Sequence, residues 1–191
     1  NSWNSVVQSK NKVRTQQVLH AKGIPTLKTA VIESMESLEI AIEMVGGAPV
    51  ILKEPYGTYG NGVIIAESKR AAKSVLDSIW AKSKQKILMV QEYVAESNGE
   101  DIRVFVVGDR VAASMKRSAQ NWEFRSNVEL GAKTEPIEIP NEYKEIAIAS
   151  TKALGLDYSG VDIIQTKRGP AVLEVNSNPG FKALEEATSI D

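Results

Sequence analysis

Residues 160–180 of the chain, GVDIIQTKRGPAVLEVNSNPG, decide the fold class. Two apolar runs, residues 158–165 and 170–175, flank the turn-forming residues 167–169, and this pattern predicts an antiparallel β-hairpin. Strand side chains alternate between the faces of a sheet, so one face of the hairpin is apolar and the other polar. The side chains that we expect to enter a core are those of Val161, Ile163, Leu173 and Val175.

The polar face of this hairpin carries two carboxylates. Asp162 and Glu174 lie equally far from Arg168, the centre of the turn, so a symmetric pairing places them directly opposite each other. Asn176 shares the face of Glu174. Facing carboxylates repel unless positive charge lies between them, and two carboxylates with an amide oxygen suit Mg²⁺. An ordinary solvent-exposed sheet face carries the same residue types, so the pattern alone leaves both interpretations open.

The rest of the chain alternates short apolar strands with helices and predicts an α+β fold. Strands are expected at residues 29–32, 50–53, 63–66, 87–90, 101–107 and 110–115. Helices are expected at residues 9–22, 34–45, 68–81, 141–154 and 181–188. Residues 1–7 read as a lead-in segment and residues 116–138 as an irregular polar stretch, since neither shows a clear period.

Composition excludes several classes of site. The 191 residues include no cysteine, which excludes disulfides, thiolate zinc sites and a cysteine nucleophile. The one histidine, His20, is expected on the surface of a helix. Hydrophobic residues make up 42% and charged residues 25%, as in soluble globular proteins. A net charge of −1 gives no general attraction to nucleic acid or anionic membrane, and no apolar run is long enough to cross a bilayer.

Residues 56–62, YGTYGNG, form a glycine-rich connection between two predicted strands. The strand–loop–strand context and the lack of a Gly-Lys-Ser/Thr ending argue against a P-loop or a dinucleotide-binding fingerprint. Glycine still lets backbone amides approach phosphate closely, and Thr58 can add a hydroxyl. The alternative is a plain flexible hairpin tip.

Cationic side chains accompany these elements. Lys53 ends the strand before the glycine loop, and Lys12 lies near the start of the first predicted helix, so either can direct an ammonium at phosphates. Arg103, Arg117 and Arg125 would offset charge that develops in phosphoryl transfer. Taken singly, each of the five is more often a solvated surface cation. Residues 91–94 leave a buried strand, where an extended backbone can pair with a purine edge or act as a simple linker.

Taken together and in order, these blocks resemble the ATP-grasp ligases, and most closely the RimK-type L-glutamate ligases. The resemblance covers nearly all of the chain. Its most specific blocks are residues 44–49 (MVGGAP), 91–93 (QEY), 101–103 (DIR), 124–127 (FRSN), 160–163 (GVDI) and 169–176 (GPAVLEVN) with Pro179-Gly180. Six blocks in order are far more specific than any one of them.

The resemblance implies an ATP-grasp fold, with two α+β lobes whose antiparallel sheets sandwich the nucleotide. Residues 1–8 would be a lead-in segment, residues 9–92 the central lobe with a glycine-rich lid, and residues 93–191 the C-terminal lobe with a metal site. Family members carry an N-terminal domain before this region and continue beyond its end. We therefore expect that domain to be absent here and the C-terminal end to be truncated.

The resemblance also implies a role for each candidate residue. The phosphates would be contacted by Lys12 and Lys53 and covered by a lid with Gly57, Thr58, Gly60 and Gly62. The adenine and ribose would be held by Gln91, Glu92, Tyr93, Val94 and Asp101. The nucleotide site would be lined by Arg125, Ser126 and Asn127. The acylphosphate would be held by the catalytic candidates Arg103 and Arg117, with Arg125 beside them. Two Mg²⁺ ions, for which Mn²⁺ can substitute, would be bound by Asp162, Glu174 and Asn176.

The activity implied is an ATP-dependent carboxylate–amine ligation that adds L-glutamate or a related amino acid to a protein or peptide carboxylate, as in ribosomal protein modification. Relatives also act on small molecules, on a carrier protein or in peptide cyclisation, and the sequence does not separate these. A non-catalytic ATP sensor on the same fold and a nucleic-acid-binding module are the other classes considered; the near-neutral charge disfavours the second. The expected location is the cytoplasm, without membrane or direct nucleic-acid partners, and a homo-oligomer is among the expected assemblies.

Overall fold

The computed structural model of the protein describes residues 1–57, 60, 62–82, 87–121 and 123–188. The chain forms two compact units: the larger contains Asn1–Thr26 and Val94–Asp191, and the smaller contains Leu27–Tyr93. Both are α+β, as the sequence predicts. The division differs from the expected lobes, because residues 9–26 belong to the larger unit and not to a lobe of residues 9–92.

The described elements are six α-helices and nine strands. The helices are α1 (Trp3–Lys10), α2 (Lys12–Ala21), α3 (Leu38–Met44), α4 (Lys69–Lys82), α5 (Asn141–Ala153) and α6 (Lys182–Thr188). The strands are β1 (Thr29–Ile32), β2 (Val50–Lys53), β3 (Val63–Ala66), β4 (Leu88–Glu92), β5 (Glu100–Val107), β6 (Arg110–Ser118), β7 (Lys133–Pro136), β8 (Tyr158–Thr166) and β9 (Gly169–Asn176).

The smaller unit is a four-stranded antiparallel sheet in the order β1-β4-β2-β3. Helices α3 and α4 bury their apolar faces against it, and the two central strands β2 and β4 are almost wholly buried. Ser68 begins α4 as expected, because its Oγ accepts a hydrogen bond from the Ala71 backbone N–H at 3.1 Å. Strand β4 extends to Glu92, two residues beyond the predicted end at residue 90, so Gln91 and Glu92 are strand residues.

The larger unit is a five-stranded antiparallel sheet in the order β7-β6-β5-β8-β9. Helix α5 and residues of α2 pack on its apolar face around Val104, Val161 and Ile163. The opposite face of β5, β6, β8 and β9 carries the polar residues described below. The sequence pattern of α2 does not indicate which sheet this helix covers. Leu19 and Ile24 join the core of the larger unit, and Pro25 accepts a hydrogen bond from the Val172 backbone N–H at 2.9 Å.

The first and the central irregular segments were predicted wrongly. Residues 1–8 are not a plain lead-in, because they contain most of helix α1. Ser2 caps the N-terminus of this helix, and its Oγ accepts a hydrogen bond from Ser5 N–H at 3.2 Å. The predicted helix of residues 9–22 is interrupted at Asn11, whose Oδ1 accepts from Arg14 N–H and begins α2. Within residues 116–138 the sheet continues, as the end of β6 and the edge strand β7. A polar edge strand lacks the apolar alternation that reveals other strands.

The hairpin of β8 and β9 has the expected pairing for a different reason. Asp162 lies opposite Glu174, as predicted, but Thr166 pairs with Gly169 across a two-residue turn rather than a turn centred on Arg168. A bulge at Leu173 adds one residue to β9 and restores the register beyond it. The core position predicted for Leu173 is occupied by Val172 instead, and Leu173 is only half-buried.

Candidate functional site

Two arginines and two aspartates form a paired cluster on the polar face of the larger sheet. Arg103 on β5 donates from Nε and Nη2 to Asp162 on β8, at 2.7 and 2.8 Å. Arg117 on β6 donates from Nε and Nη2 to Asp101 on β5, at 2.7 and 2.5 Å, and its Nη2 also lies 3.0 Å from Asp162 Oδ2. We call these four residues the arginine–carboxylate quartet. Its formal charges sum to zero.

The sheet register explains why these four side chains meet. Asp101 lies opposite Arg117, and Arg103 lies opposite Asp162, so each pair bridges neighbouring strands on one face. Bidentate Arg–carboxylate pairs fix both position and orientation of the two groups. The quartet therefore holds β5, β6 and β8 together on the face that is not covered by α5.

Burial makes the quartet sensitive to loss of any member. The side chains of Asp101, Arg117 and Asp162 are at most 4% exposed, and that of Arg103 is 16% exposed. Burial alone would raise the pKa of Asp162, but Arg103 and Arg117 outweigh it and lower the pKa to about 2. Burial dominates at Asp101 and raises its pKa, in spite of Arg117. Arg117 stays protonated, because the two aspartates offset its desolvation and raise its pKa.

The ribose contact implied for Asp101 stays a prediction. Both of its oxygens accept hydrogen bonds from Arg117, and Ser126 adds a further hydrogen bond to the carboxylate. Arg103 and Arg117 engage both oxygens of Asp162 in the same way, so either aspartate would exchange an arginine contact on binding a ligand. In the structure Asp101 holds Arg117, and Ser126 in turn holds Asp101.

The second part of this face lies toward β9. Lys12, the first residue of α2, forms an ion pair with Glu174 at 2.9 Å, and both side chains are partly exposed. Asn176 Nδ2 lies 3.4 Å from Asp162 Oδ2, which leaves the Asn176 amide oxygen for another partner. The predicted convergence of Asp162, Glu174 and Asn176 on one face is thus present, and Lys12 joins it.

These donors fit a hard divalent cation. Among residues 1–57, 60, 62–82, 87–121 and 123–188, no group of three or more His, Cys, Asp or Glu side chains forms a metal site. A cation at this face would therefore combine carboxylate oxygens of Asp162 and Glu174 with the amide oxygen of Asn176 and oxygens from water or phosphate. That incomplete protein set is the one Mg²⁺ typically takes beside phosphates, and Mn²⁺ accepts the same ligands.

Gly160 gives the site its close packing. A Cβ at this position would lie 2.8 Å from Pro179 Cβ and 3.7 Å from Arg103 Cδ. Gly160 faces Asn176 across the β8–β9 pair. The segment after Asn176 is further held by an edge-to-face contact between Phe181 and Phe105. The missing side chain therefore lets the Pro179 segment close over β8 beside Arg103.

Arg125, Ser126 and Asn127 lie in the segment between β6 and β7. Glu123 Oε1 and Oε2 accept hydrogen bonds from Arg125 Nε and Nη2 at 2.9 and 2.7 Å, and the guanidinium lies over the Phe124 ring. The hydrogen bond from Arg125 is the main cause that lowers the pKa of Glu123 to about 2. Asn127 is half-buried and its carbonyl begins a short 3₁₀ turn. The arginine predicted as catalytic is thus held by a carboxylate that we did not predict.

In the smaller unit, hydrogen bonds link Lys53 to two other side chains. Lys53 Nζ donates to Gln91 Oε1 at 2.9 Å, and Gln91 Nε2 donates to Thr29 Oγ1 at 2.8 Å. Thr29 Oγ1 donates to the Leu27 carbonyl at 3.0 Å. We call Lys53, Gln91 and Thr29 the lysine–amide chain. Lys53 is 5% exposed and Gln91 1%, so Gln91 acts as a buried support of Lys53 and not as part of an exposed adenine-binding segment.

Residues 92–94, which the resemblance implies as the adenine contacts, already take part in contacts within the protein. Glu92 Oε1 accepts a hydrogen bond from Lys28 N–H at 2.8 Å, and the two backbones also pair. Tyr93 is half-buried at the end of the smaller unit. Val94 begins the larger unit, is buried, and its carbonyl accepts from the backbone and the hydroxyl of Ser97. The backbone positions of residues 92–94 therefore stay a predicted purine contact.

The predicted lid connects β2 and β3 as expected. Gly57, Gly60 and Gly62 have φ angles of 155°, 71° and 73°, a region that other residues rarely adopt, so these three positions favour glycine. Lys53 pairs with Val63 at the base of this hairpin. Thr58, the candidate hydroxyl, lies outside the described residues.

Two residues of these clusters could not be found from the sequence pattern. Glu123 stands two positions before Arg125, a spacing that puts both on one side of an extended chain, but nothing else separates it from a surface acid. Thr29 was expected only as a strand residue, and its pairing with Gln91 depends on a contact 62 positions away.

Comparisons with known proteins agree with the predicted fold and with the family resemblance. A model of the RimK-like ATP-grasp domain matches residues 9–191. The probable alpha-L-glutamate ligase 2 of Shewanella amazonensis is 45% identical over 186 residues, which are 97% of this chain and 61% of that protein. The chain thus spans about three fifths of the length of this relative.

Two solved structures share the fold. The ATP-grasp ligase PsnB, complexed with the precursor peptide PsnA2 and AMPPNP, has a TM-score of 0.75 and 25% identity over all of this chain and 56% of its own. The D-alanine–D-alanine ligase of Bacillus anthracis complexed with ATP has a TM-score of 0.76 and 23% identity, covering 97% of this chain and 62% of its own. The second likeness supports the fold alone. The chain belongs to the RimK-like ATP-grasp family.

Proposed function

We propose that the chain is the nucleotide- and metal-binding part of an ATP-dependent carboxylate–amine ligase. The observation that carries the proposal is the arginine–carboxylate quartet with Glu174, Asn176 and Lys12 beside it on one sheet face. Phosphoryl transfer needs positioned cations and a divalent-cation site rather than a protein nucleophile. This face offers both kinds of group, and the chain has no cysteine.

The proposed reaction has two steps. A carboxylate oxygen of the acceptor attacks the γ-phosphorus of ATP, the bond from that phosphorus to the β,γ-bridging oxygen breaks, and ADP leaves with an acylphosphate formed. The nitrogen of an amine then attacks the carbonyl carbon, the carbon–oxygen bond to phosphate breaks, and inorganic phosphate leaves as the amide forms. The nitrogen loses a proton to solvent or a nearby base.

Arg103 and Arg117 take different parts in this proposal. Arg103 is the more exposed, and in the described part of the chain its Nη1 has no hydrogen-bond partner. It is therefore the group that we propose to contact the transferring phosphoryl group and the acylphosphate. Arg117 is enclosed by Asp101 and Asp162, so we propose that it positions Asp162 and does not touch the substrate. The sequence led us to expect a catalytic role for both arginines, and the proposal now keeps that role for Arg103 alone.

Lys12, Glu174 and Asn176 form the other half of the site. Glu174 and Asn176, with Asp162, are the proposed holders of Mg²⁺, for which Mn²⁺ can substitute, and the resemblance implies two ions. When bound, the cation neutralises phosphate oxygens and the charge that develops on them. Lys12 balances Glu174 at 2.9 Å and lies on the same side, where it can turn its ammonium to a phosphate oxygen.

The smaller unit contributes Lys53 and the glycine loop to nucleotide binding in this proposal. The Gln91 amide oxygen holds the Lys53 ammonium, which we propose to contact a phosphate. Gly57, Gly60 and Gly62 would cover the phosphates with backbone N–H groups and exclude water that would hydrolyse an acylphosphate. Residues 92–94 are the proposed adenine contacts, and Arg125, Ser126 and Asn127 the proposed lining of the nucleotide site in the larger unit.

The proposed amine is L-glutamate or a related amino acid, and the proposed acceptor is a protein or peptide carboxylate. The name of the Shewanella relative, alpha-L-glutamate ligase, supports the amine. The peptide bound to PsnB supports a peptide acceptor in this fold family. Small-molecule, carrier-protein and peptide-cyclisation substrates are the alternatives. The described chain contains no helix long and apolar enough to cross a membrane, and a cytoplasmic location and a homo-oligomer stay predictions.

The test is magnesium-dependent release of ADP from ATP in the complete natural protein, with L-glutamate and candidate carboxylates. Glu174→Gln should abolish turnover and weaken magnesium–nucleotide binding, since it removes a ligand charge. Glu145→Gln, an exposed change on α5 with the same loss of charge, should leave both unchanged. Tight ATP binding without turnover on any carboxylate would favour a nucleotide sensor, and unchanged magnesium affinity in Glu174→Gln would remove Glu174 from the site.

A further inference from the structure

A threonine that no sequence block singles out lies at the end of the lysine–amide chain. Thr29, on edge strand β1, pairs in register with Gln91 on β4, so their side chains share one face of the smaller sheet. Lys53 lies on β2, opposite Met89 and diagonal to Gln91. The three side chains therefore come from three neighbouring strands of one sheet.

The direction of each hydrogen bond determines the next one. A threonine hydroxyl has one proton and can also accept hydrogen bonds. The Thr29 hydroxyl donates its hydrogen bond to the Leu27 carbonyl, at 3.0 Å. Thr29 Oγ1 can then only accept from Gln91, so the amide must turn its NH₂ group toward Thr29, at 2.8 Å.

The same orientation decides what Lys53 meets. With its NH₂ group on Thr29, Gln91 turns its carbonyl oxygen toward Lys53 Nζ, at 2.9 Å. The reversed amide would place NH₂ protons against an ammonium, which has three donors and no acceptor. Inside a protein that arrangement loses a hydrogen bond to a charged group and adds repulsion.

We propose that Thr29 is a positioning residue for nucleotide binding: its hydroxyl orients the Gln91 amide, which holds the Lys53 ammonium in place for a phosphate. The inference rests on the proposed function of Lys53. It adds a residue on another strand, which acts through Gln91.

The first test compares Thr29→Val with Thr29→Ser. Valine keeps the shape and the strand preference of threonine but has no hydroxyl, so the Gln91 amide loses its directing partner. Serine keeps the hydroxyl. We expect Thr29→Val to weaken binding of magnesium AMPPNP by about tenfold, measured by calorimetry, and Thr29→Ser to bind within about twofold of the wild type. Equal weakening by both variants, or by neither, would overturn the inference.

A double-mutant cycle with Lys53→Met separates positioning from a general effect on the fold. If Thr29 acts through Lys53, Thr29→Val should add little to the weakening that Lys53→Met already causes. A full additional tenfold loss in the Lys53→Met background would contradict the inference. Should Thr29→Val be too unstable to titrate, Thr29→Ala replaces it in the same cycle, with urea denaturation to show that the variant is folded.

The result is distinguishable from failure of the proposed function. A wild-type protein that does not bind magnesium AMPPNP overturns the proposed function itself. A wild type that binds the nucleotide, with Thr29→Val binding equally well, overturns only the role of Thr29.

Discussion

The two units hold their buried cations in opposite ways. In the larger unit, Arg103 and Arg117 are paired with carboxylates, and the quartet has no net charge. In the smaller unit, the amide of Gln91 holds Lys53 by a hydrogen bond that carries no opposing charge. Carboxylate pairing fixes the arginines and neutralises them, whereas the amide contact orients the lysine without itself supplying an opposing charge.

This difference suits the cations of each unit to different tasks in the proposed function. A residue enclosed by two carboxylates, as Arg117 is, suits the positioning of Asp162. The contact from Gln91 suits the orientation of the Lys53 ammonium and adds no opposing charge of its own. Arg103 lies between the two cases, since it is paired with Asp162 yet retains some exposure.

The largest effect is expected from Arg117→Met. The change leaves Asp101 and Asp162 buried beside each other without their shared cation, which should lower the free energy of unfolding by about 3–5 kcal/mol. Urea denaturation measures it. Arg110→Met, an exposed change on the same strand, should shift it by less than about 0.5 kcal/mol. An Arg117→Met protein as stable as the control would show that the quartet contributes nothing to the fold.

A smaller loss is expected from Gly160→Ala. The added Cβ would lie 2.8 Å from Pro179 Cβ, so the segment after β9 must shift, at a cost of about 1–3 kcal/mol. Gly108→Ala is not a suitable control because Gly108 has a positive φ, but Gly180→Ala has open space and an ordinary φ. If Gly160→Ala and Gly180→Ala are equally stable in urea, the close packing at Gly160 is not important.

Gln91→Glu gives Lys53 of the lysine–amide chain a carboxylate partner, as the arginines of the arginine–carboxylate quartet have. A carboxylate would pair with Lys53 and cancel its charge, so magnesium AMPPNP should bind about tenfold more weakly, or about 1.4 kcal/mol. Calorimetric titration checks this, with the exposed change Gln17→Glu as a control of equal net charge. Unchanged affinity would show that the charge of Lys53 is not used by the nucleotide.

The smallest effect is expected at Glu123. The hydrogen bond from Arg125 lowers the pKa of Glu123 to about 2, below the value of about 4.3 in an unfolded chain. A lowered carboxyl pKa stabilises the fold above about pH 4.3, and this stability is lost as the pH falls toward 2. Because the pair is partly exposed, Glu123→Gln should flatten urea stability in that window by less than about 1 kcal/mol. A curve identical to the wild type would contradict the pairing.

Much of the fold was predictable because its signals are local. Alternation and turn residues predicted β1, β2 and β3 to the residue, and most other elements within a few positions. Edge strand β7 and helix α1 were missed, the first for lack of apolar alternation and the second because only its Ser2 cap marks it. The facing of Asp162 and Glu174 was correct, although the bulge at Leu173 that produces it was not foreseen.

The sequence by itself determined the α+β class, the presence of Asp162 and Glu174 on one hairpin and the ordered blocks that carry the family resemblance, because each depends on residue type and short spacing. The tertiary structure alone decided which cations those carboxylates meet. Asp101 and Arg117 are 16 positions apart, Arg103 and Asp162 are 59 apart, and Gln91 lies 38 positions from Lys53. Such contacts depend on strand order and register, which a local sequence pattern does not contain. They distinguish a residue that positions other side chains of the site from a residue proposed to bind the ligand.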